Sequence, residues 1–343
     1  MPNPTSSERP YPQIVVAGAG VIGCFVGGML VRGAHAVTFF LREKLYDELS
    51  RQGLTITDFH DLDEDLSPGS FGMSLTPDCL KHADIILVTV KASGTRTMAH
   101  LIAAHAPKDA IVISLQNGLT AVDILREELP DFDVRAGIVP FSVSYMGGGH
   151  FHRCSSGDIL IEKGKDAMAR HLSVLDLTFH ERKEISALQW GKLLMNLNNA
   201  LNALSNLPLR EELSKLSWRK LLADQIAEAL AVLKAHGITP RMPGSEWLPA
   251  RFVPFILRLP TPIYSRIARA VLEIDPHARS SMWDDLELGR PTEIDELQGR
   301  IVAMGQERGV NTVLNARVAA LIVRAGEAGV GSPGLSAKAI RRG

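Results

Sequence analysis

Apolar side chains in the first half of the chain form short continuous runs that alternate with longer amphipathic segments. The runs occupy residues 13–17, 36–41, 84–90 and 110–115. Runs of this length are typical of strands that are buried on both faces of a parallel sheet. The segment between the first two runs, residues 21–32, has helical character. The pattern therefore predicts an α/β domain over about residues 1–186.

The pattern changes after this domain. Residues 187–343 lack strand-like alternation, which predicts a C-terminal all-helical domain. The polar stretch 58–72 in the first domain predicts loops and a short edge element. The last segment, 326–343, has several glycines and a basic end, and we expect it to be a loose tail.

One apolar stretch near the N-terminus admits three interpretations. Ile14 to Val31 spans 18 positions without a charge, which is long enough for a membrane helix and also similar to the apolar core of a secretory signal. Five glycines interrupt the stretch, so it can also be divided into a strand, a turn and a helix. Because glycines suit a tight turn, we favour the third interpretation.

The turn carries a GxGxxG motif, whose residues are Gly18, Ala19, Gly20, Val21, Ile22 and Gly23. In this motif the first glycine permits the turn, the second lets a pyrophosphate approach the backbone, and the third lets the helix pack against the strand. The N-terminus of the helix then offers N–H groups to the phosphates. The motif predicts a Rossmann-type dinucleotide-binding domain.

Polar residues follow three of the predicted strands. Arg42 comes after the second strand, where an acidic residue favours NAD and an arginine accommodates the 2′-phosphate of NADP. We therefore predict NADPH. Lys91 and Asn117 follow the next two runs. Ligands of open parallel sheets bind beyond the carboxyl ends of the strands, so both residues are expected to line the cofactor site.

Composition narrows the possible partners. Lys and Arg number 37 against 38 Asp and Glu, which gives a net charge of −1 and no long-range attraction to nucleic acid or anionic membranes. We expect no nucleic-acid or membrane partner. The three cysteines lack metal-ligand spacing, which predicts no metal site and favours reduced thiols in a cytoplasmic protein.

A second candidate site lies on a predicted helix over residues 190–204. On a helical wheel Lys192, Asn196 and Asn199 share one face, with Asn206 close to it if the helix extends that far, and the leucines occupy the other side. Asparagine is a poor helix former, so its abundance indicates a site that needs neutral donors and acceptors. A lysine among amides and apolar walls has a lowered pKa and donates a proton readily near neutral pH. The alternative is an Asn-rich face that bonds to neighbouring loops.

These residues, taken in order, resemble the ketopantoate reductase (2-dehydropantoate 2-reductase) family. The resemblance extends from GAGVIG at 18–23 to the helix that ends around Ile322. Its most specific parts are the Arg42 position, VTVKA at 88–92, QNG at 116–118, the Lys192 helix, SSMWDD at 280–285 and GRPTEID at 289–295.

The resemblance implies NADPH-dependent reduction of a 2-oxo acid to a 2-hydroxy acid. The expected substrate is ketopantoate, reduced to pantoate in pantothenate and coenzyme A biosynthesis. It implies that Lys192 is the general acid and that Glu293 orients it. Asn196, Asn199 and Ser281 would bind the substrate in a cleft between the two domains. From the residues alone, Glu293 also suits a helix start, and Ser281 with Asp284 also suits a helix cap.

Two departures from the family pattern concern the substrate. The family's second substrate Asn lies eight residues after the lysine, where this chain has Ala200, whereas Asn199 lies seven residues after it. Either the helix is locally irregular or the pocket differs. The segment 239–279 is rich in proline, and we expect extra helices there, over the cleft or at a subunit contact.

Three functions remain open at this point. They are reduction of ketopantoate or a related 2-oxo acid, reduction of an imine derived from a 2-oxo acid, and NADPH sensing without catalysis. The presence of both Lys192 and Glu293 argues against a sensor. The sequence leaves a homodimer open.

Overall fold

The computed structural model describes residues 12–245, 247–268 and 275–342. Their contacts divide the chain into two compact units, Met1–Ile185 and Ser186–Gly343. Within the described residues, none of the helices combines the length and apolar character needed to cross a bilayer.

The first unit is organised around an eight-stranded sheet in which every pair is parallel except β8 with β11. The strand order is β12-β11-β8-β7-β6-β1-β2-β5. These strands are β1 (Gln13–Ala17), β2 (Ala36–Phe40), β5 (Gly72–Ser74), β6 (Ile85–Val88), β7 (Ile111–Ser114), β8 (Asp133–Ile138), β11 (Ile159–Glu162) and β12 (Phe179–Arg182). β1 lies between β2 and β6, so the strands that follow it in the chain are placed first on one side of it and then on the other. This reversal of the strand order is the switch point at which open α/β sheets bind ligands.

The described residues of this unit form five α-helices beside the strands. They are α1 (Val21–Arg32), α2 (Glu43–Gln52), α3 (Thr95–His105), α4 (Thr120–Glu128) and α5 (Met168–Leu172). The core forms because the predicted apolar runs are buried, as at Val16, Leu87 and Ile113, which have no exposed surface. The four predicted strands are therefore present, with ends that differ by one or two residues.

A second, four-stranded sheet in this unit is not apparent from the sequence. Its order is β4-β3-β10-β9. The strands are β3 (Leu54–Asp58), β4 (Asp63–Leu66), β9 (Val143–Gly147) and β10 (His150–Arg153). The edge element expected in 58–72 is β4, whose partner β3 pairs in turn with β10, almost 100 residues further along the chain. A long-range pairing of this kind leaves no local pattern.

The second unit consists of helices and 3₁₀ turns, and none of its described residues belongs to a strand. After α6 (Ile185–Asn196), which begins at the boundary, it contains α7 (Asn198–Ser205), α8 (Leu209–Ser214), α9 (Leu216–Ala235), α10 (Val253–Leu257), α11 (Thr261–Ile267), α12 (Ser281–Glu287), α13 (Gln298–Arg308), α14 (Val313–Ala328) and α15 (Ala337–Arg342). The predicted fold class, a Rossmann-type α/β domain followed by a helical domain, is confirmed.

The segment 239–279 contains two of the expected extra helices, α10 and α11. Arg219 of α9 anchors them, because its Nη1 donates to the carbonyl oxygens of Leu257 and Leu259 at 3.0 and 2.8 Å. Its guanidinium also lies 4.2 Å from the ring centre of Tyr264. Residues 269–274 lie outside the described part of the chain. A role of the segment over a cleft or at a subunit contact stays a prediction.

The end of the chain is packed rather than loose. Ser332 Oγ donates to the Ala203 carbonyl oxygen at 2.6 Å, and the Leu335 N–H donates to that of Leu204 at 2.8 Å. Ile340 in α15 has no exposed surface. The expectation of a loose tail over 326–343 is therefore wrong for the described residues up to 342, because Ser332, Leu335 and Ile340 bond to or pack against parts of the chain that composition does not reveal.

Candidate active site

The turn between β1 and α1 needs glycine at two positions for reasons internal to the protein. Gly18 has a φ of +76°, and a Cβ there would lie 2.0 Å from Val90 Cγ1. A Cβ at Gly23 would lie 2.4 Å from Thr89 Oγ1. The turn is also tied to β2, since the N–H groups of Gly18 and Ala19 donate to the Phe40 carbonyl oxygen.

Gly20 differs from these two glycines. A Cβ at this position would meet no protein atom within 4 Å. Gly20 is the N-cap of α1, and no side chain caps the helix there. The space above Gly20 is therefore free for an external group, and the N-terminal N–H groups of α1 favour an anion. The turn fits the pyrophosphate of a dinucleotide.

The polar residues predicted to surround the cofactor all follow carboxyl ends of central strands. Arg42 is exposed and precedes α2, two residues after the end of β2. Lys91 is exposed and lies three residues beyond β6. Asn117 is half-buried and lies three residues beyond β7. Its neighbour Gln116 ties the β6 and β7 loops together by donating from Nε2 to the Val90 carbonyl oxygen at 2.9 Å.

Lys192 is a half-buried residue of α6 in the second unit. Desolvation lowers the pKa of its ammonium group from 10.5 to about 8, and the nearby negative charge of Glu293 acts in the opposite direction. Glu293 is half-buried and precedes the 3₁₀ turn Ile294–Glu296. The structure thus brings the two predicted catalytic residues into electrostatic contact. The arrangement gives a lysine that can donate and regain a proton near neutral pH.

The single helix predicted over 190–204 is wrong. The helix is interrupted at Leu197, with α6 ending at Asn196 and α7 beginning at Asn198. Gln298, which is fully buried, donates from Nε2 to the Leu197 carbonyl oxygen at 2.9 Å. An inserted side-chain donor of this kind is a common cause of a helix irregularity.

The interruption separates the two predicted substrate amides, Asn196 and Asn199, both of which are half-buried. Leu197 itself keeps right-handed helical dihedral angles, with a φ of −57° and a ψ of −22°, so the irregularity is confined to one residue. The position of Asn199 has two explanations, a local helix irregularity and a different pocket. The structure contains the irregularity.

Asn206 does not belong to the polar face of Lys192. The helix ends at Ser205, and Asn206 adopts a left-handed conformation with a φ of 58°. Its Oδ1 accepts hydrogen bonds from Trp283 Nε1 at 2.9 Å and Arg279 Nη1 at 3.2 Å. This asparagine ends a helix and bonds to a neighbouring segment, as the structural alternative predicts.

Ser281 is an exposed residue at the first position of α12. The cap of this helix is Ser280, whose Oγ accepts from the Trp283 N–H at 3.2 Å. The capping role considered for Ser281 therefore belongs to its neighbour. Sequence reasoning missed Ser280 and Gln298, although a serine just before a helix is a recognisable capping signal.

Comparison with known proteins agrees with both units. Residues 14–166 match the family model described as ketopantoate reductase PanE/ApbA, and residues 184–325 match its C-terminal model. Together these matches cover most of the chain.

Similar proteins span nearly the whole chain. A 2-dehydropantoate 2-reductase from Archaeoglobus fulgidus is 27% identical over 338 residues, which covers 93% of this chain and 99% of that protein. A solved PanE/ApbA family ketopantoate reductase from Ralstonia eutropha JMP134 has a TM-score of 0.77 at 28% identity and covers 92% and 99% of the two chains. A D-mandelate dehydrogenase solved with NADH and anilino(oxo)acetate has a TM-score of 0.74 at 20% identity, over 92% and 99%, which shows the shared fold.

The different surroundings of Gly18 and Gly20 predict different effects of alanine. Gly20→Ala should leave the free energy of unfolding within about 1 kcal/mol of wild type, since the methyl meets no protein atom. It should weaken dinucleotide binding by about tenfold or more, because it occupies the space needed for close backbone approach. Gly18→Ala should destabilise the fold itself by at least about 1–2 kcal/mol. Chemical denaturation and cofactor titration measure the two effects, and unchanged binding by Gly20→Ala contradicts the assignment.

Proposed function

Since the chain belongs to the ketopantoate reductase family, we propose that it uses NADPH to reduce a 2-oxo acid to a 2-hydroxy acid, with 2-dehydropantoate (ketopantoate) as the first candidate substrate and pantoate as its product. Membership of this family makes the chain an oxidoreductase that acts on a CH–OH group with a nicotinamide dinucleotide. The choice of NADPH, the substrate and the roles of the residues are the proposal.

The observation that carries the proposal is the partly desolvated Lys192 beside Glu293. A pKa of about 8 keeps most of the ammonium protonated at neutral pH while making it a better donor than an exposed lysine. A general acid works best when its pKa is near the working pH.

The proposed reaction needs a proton where negative charge develops. When bound, a nicotinamide would supply the hydride for the carbonyl carbon of the 2-oxo acid. Lys192 donates a hydrogen bond to the carbonyl oxygen, stabilises the growing charge, and transfers its proton to form the hydroxyl group. Glu293 orients the ammonium. Asn196, Asn199 and Ser281 hold the carboxylate and polar substituents of the substrate.

We assign the cofactor site to the first unit, which corresponds to the predicted domain 1–186. The acid and the substrate groups are assigned to the second unit, which corresponds to the predicted domain 187–343. The open Gly20 turn supports a dinucleotide, with Ala19, Val21 and Ile22 completing the turn. Arg42, at the end of β2, supports recognition of a 2′-phosphate. Lys91 and Asn117 are assigned to the cofactor side.

The position of Asn199 bears on which 2-oxo acid is bound. Asn199 lies seven residues after Lys192, across the interruption at Leu197. A fold shared with a D-mandelate dehydrogenase makes aryl-substituted 2-oxo acids a second group of substrates to be tested.

Removing the proposed acid should abolish most turnover without affecting cofactor binding. Lys192→Met should lower turnover at least ~100-fold, the low end expected for losing a general acid. NADPH affinity should stay near wild type. Lys220→Met, an exposed lysine of α9, is the matched control and should keep wild-type turnover. Near-normal turnover by Lys192→Met would rule out the mechanism.

The pH dependence of reduction should follow the same lysine. Turnover by the wild type should fall as pH rises through about 8, because the ammonium loses its proton there. The slope should approach about tenfold per pH unit. In Glu293→Gln the opposing negative charge is lost, so the pKa of Lys192 drops further and the decline should start at lower pH. A decline that stays at the same pH contradicts the proposed pairing.

Arg42 should discriminate between the two nicotinamide cofactors. Arg42→Ala should weaken NADPH binding about tenfold or more, since a charge-assisted hydrogen bond contributes about 1.5–3 kcal/mol. Binding of NADH, which lacks the 2′-phosphate, should change little. Arg51→Ala, at an exposed arginine of α2, serves as the control. Equal losses for both cofactors would exclude the 2′-phosphate role.

A further inference from the structure

A buried carboxyl group is connected by hydrogen bonds to the two helices that carry Asn199 and Ser281. Glu212 of α8 has no exposed surface. Its Oε2 accepts from Asn202 Nδ2 at 2.6 Å, and the side chain of Asn198 also hydrogen-bonds to it. Its Oε1 has no hydrogen-bond partner among the described residues. Buried carboxyl groups are costly and need a compensating role.

Asn202 connects Glu212 to α12 through hydrogen bonds. It is fully buried in α7, and each of its side-chain hydrogen-bonding atoms is engaged. Nδ2 donates to Glu212 and, at 2.9 Å, to the Leu207 carbonyl oxygen. Oδ1 accepts from the backbone N–H of Ser280 at 2.8 Å. The orientation of this amide is therefore fixed by groups on three sides.

Ser280 completes the connection back to α7. Its Oγ donates to the Asn199 carbonyl oxygen at 2.9 Å and caps α12 by accepting from Trp283. Ser281, the next residue, is the exposed start of α12. The chain of contacts from Glu212 through Asn202 to Ser280 thus ends at the backbone of Asn199 and beside Ser281, two residues proposed to bind substrate.

We propose that Glu212 and Asn202 are positioning residues that fix the relative placement of Asn199 and Ser281 and thereby set the affinity for the 2-oxo acid. The inference rests on the proposed function, because it concerns the same substrate groups. Both elements they join are short, eight residues for α7 and seven for α12. Short helices gain little stability of their own, so side-chain bonds between them determine where their ends lie.

Glu212 acts in this network as a neutral acceptor. Burial raises the pKa of its carboxyl group to about 8, against the smaller opposing effects of its hydrogen bonds to Asn202 and Asn198. In the protonated form the proton lies on Oε1, which avoids a buried negative charge and leaves Oε2 able to accept from Asn202. A glutamine offers the same acceptor in nearly the same shape, so it should replace the glutamate.

The test separates substrate binding from chemistry by steady-state kinetics of the full chain. Glu212→Leu should raise KM for the 2-oxo acid ~10-fold while kcat changes less than ~3-fold, because the misplaced groups bind substrate and Lys192 is intact. Glu212→Gln should restore a near-wild-type KM. Asn202→Ala should have the same effect as Glu212→Leu, and the double variant should be no worse than either single one. Glu211→Leu, at an exposed neighbouring glutamate, is the matched control.

The outcomes distinguish this inference from the function on which it rests. A wild-type KM in Glu212→Leu, or additive effects in the double variant, overturns the positioning role. If Glu212→Leu does not fold, Asn202→Ala decides alone, and an unchanged KM in that variant overturns the role. A wild type that reduces no 2-oxo acid overturns the proposed function and this inference with it. NADPH affinity, measured by titration, should be the same in all variants, and a parallel loss would indicate general disruption and contradict the inference.

Discussion

The function proposed for this chain depends on one interaction, between a partly desolvated ammonium group and a carboxylate. Burial alone would drive Lys192 towards its neutral form, whereas Glu293 keeps the charged form accessible, and the balance places the pKa of Lys192 at about 8. The helix interruption at Leu197 and the buried Gln298 shape the same region. In the proposed function, much of the second unit is a scaffold that holds one acid and its neighbouring amides.

The cofactor site proposed for the first unit has a different constraint, which is close approach of backbone to ligand. Gly18 and Gly23 are demanded by the contacts of the protein itself, whereas the space at Gly20 is open. Together with the switch point beside β1, this explains why an uncharged stretch as long as a membrane helix forms a strand, a turn and a helix instead. Of the five glycines in the stretch, only Gly20 leaves space for an external group, since a Cβ at Gly27 or Gly28 would also meet neighbouring side chains.

Local patterns predicted four strands of the eight-stranded sheet, the glycine turn and the helical second domain, because these buried strands and this turn are specified by residues close in sequence. They failed where distant residues decide. Gln298 interrupts a helix about 100 residues before it, and Ser332 bonds to the distant carbonyl of Ala203. The asparagines show the same limit: Lys192, Asn196 and Asn199 remain candidates for the site, whereas Asn206 and Asn202 bond to neighbouring segments. Composition could not separate these two groups.

The most direct test of the account is NADPH oxidation by the wild-type chain with 2-dehydropantoate, beside a panel of alkyl and aryl 2-oxo acids with and without amines. We expect turnover of a 2-oxo acid in the absence of an amine, with a 2-hydroxy acid as the product. Activity with NADH should be much weaker than with NADPH. Binding of NADPH without turnover of any 2-oxo acid would contradict it and favour a sensor. Turnover only when an amine is present would contradict it in favour of imine reduction.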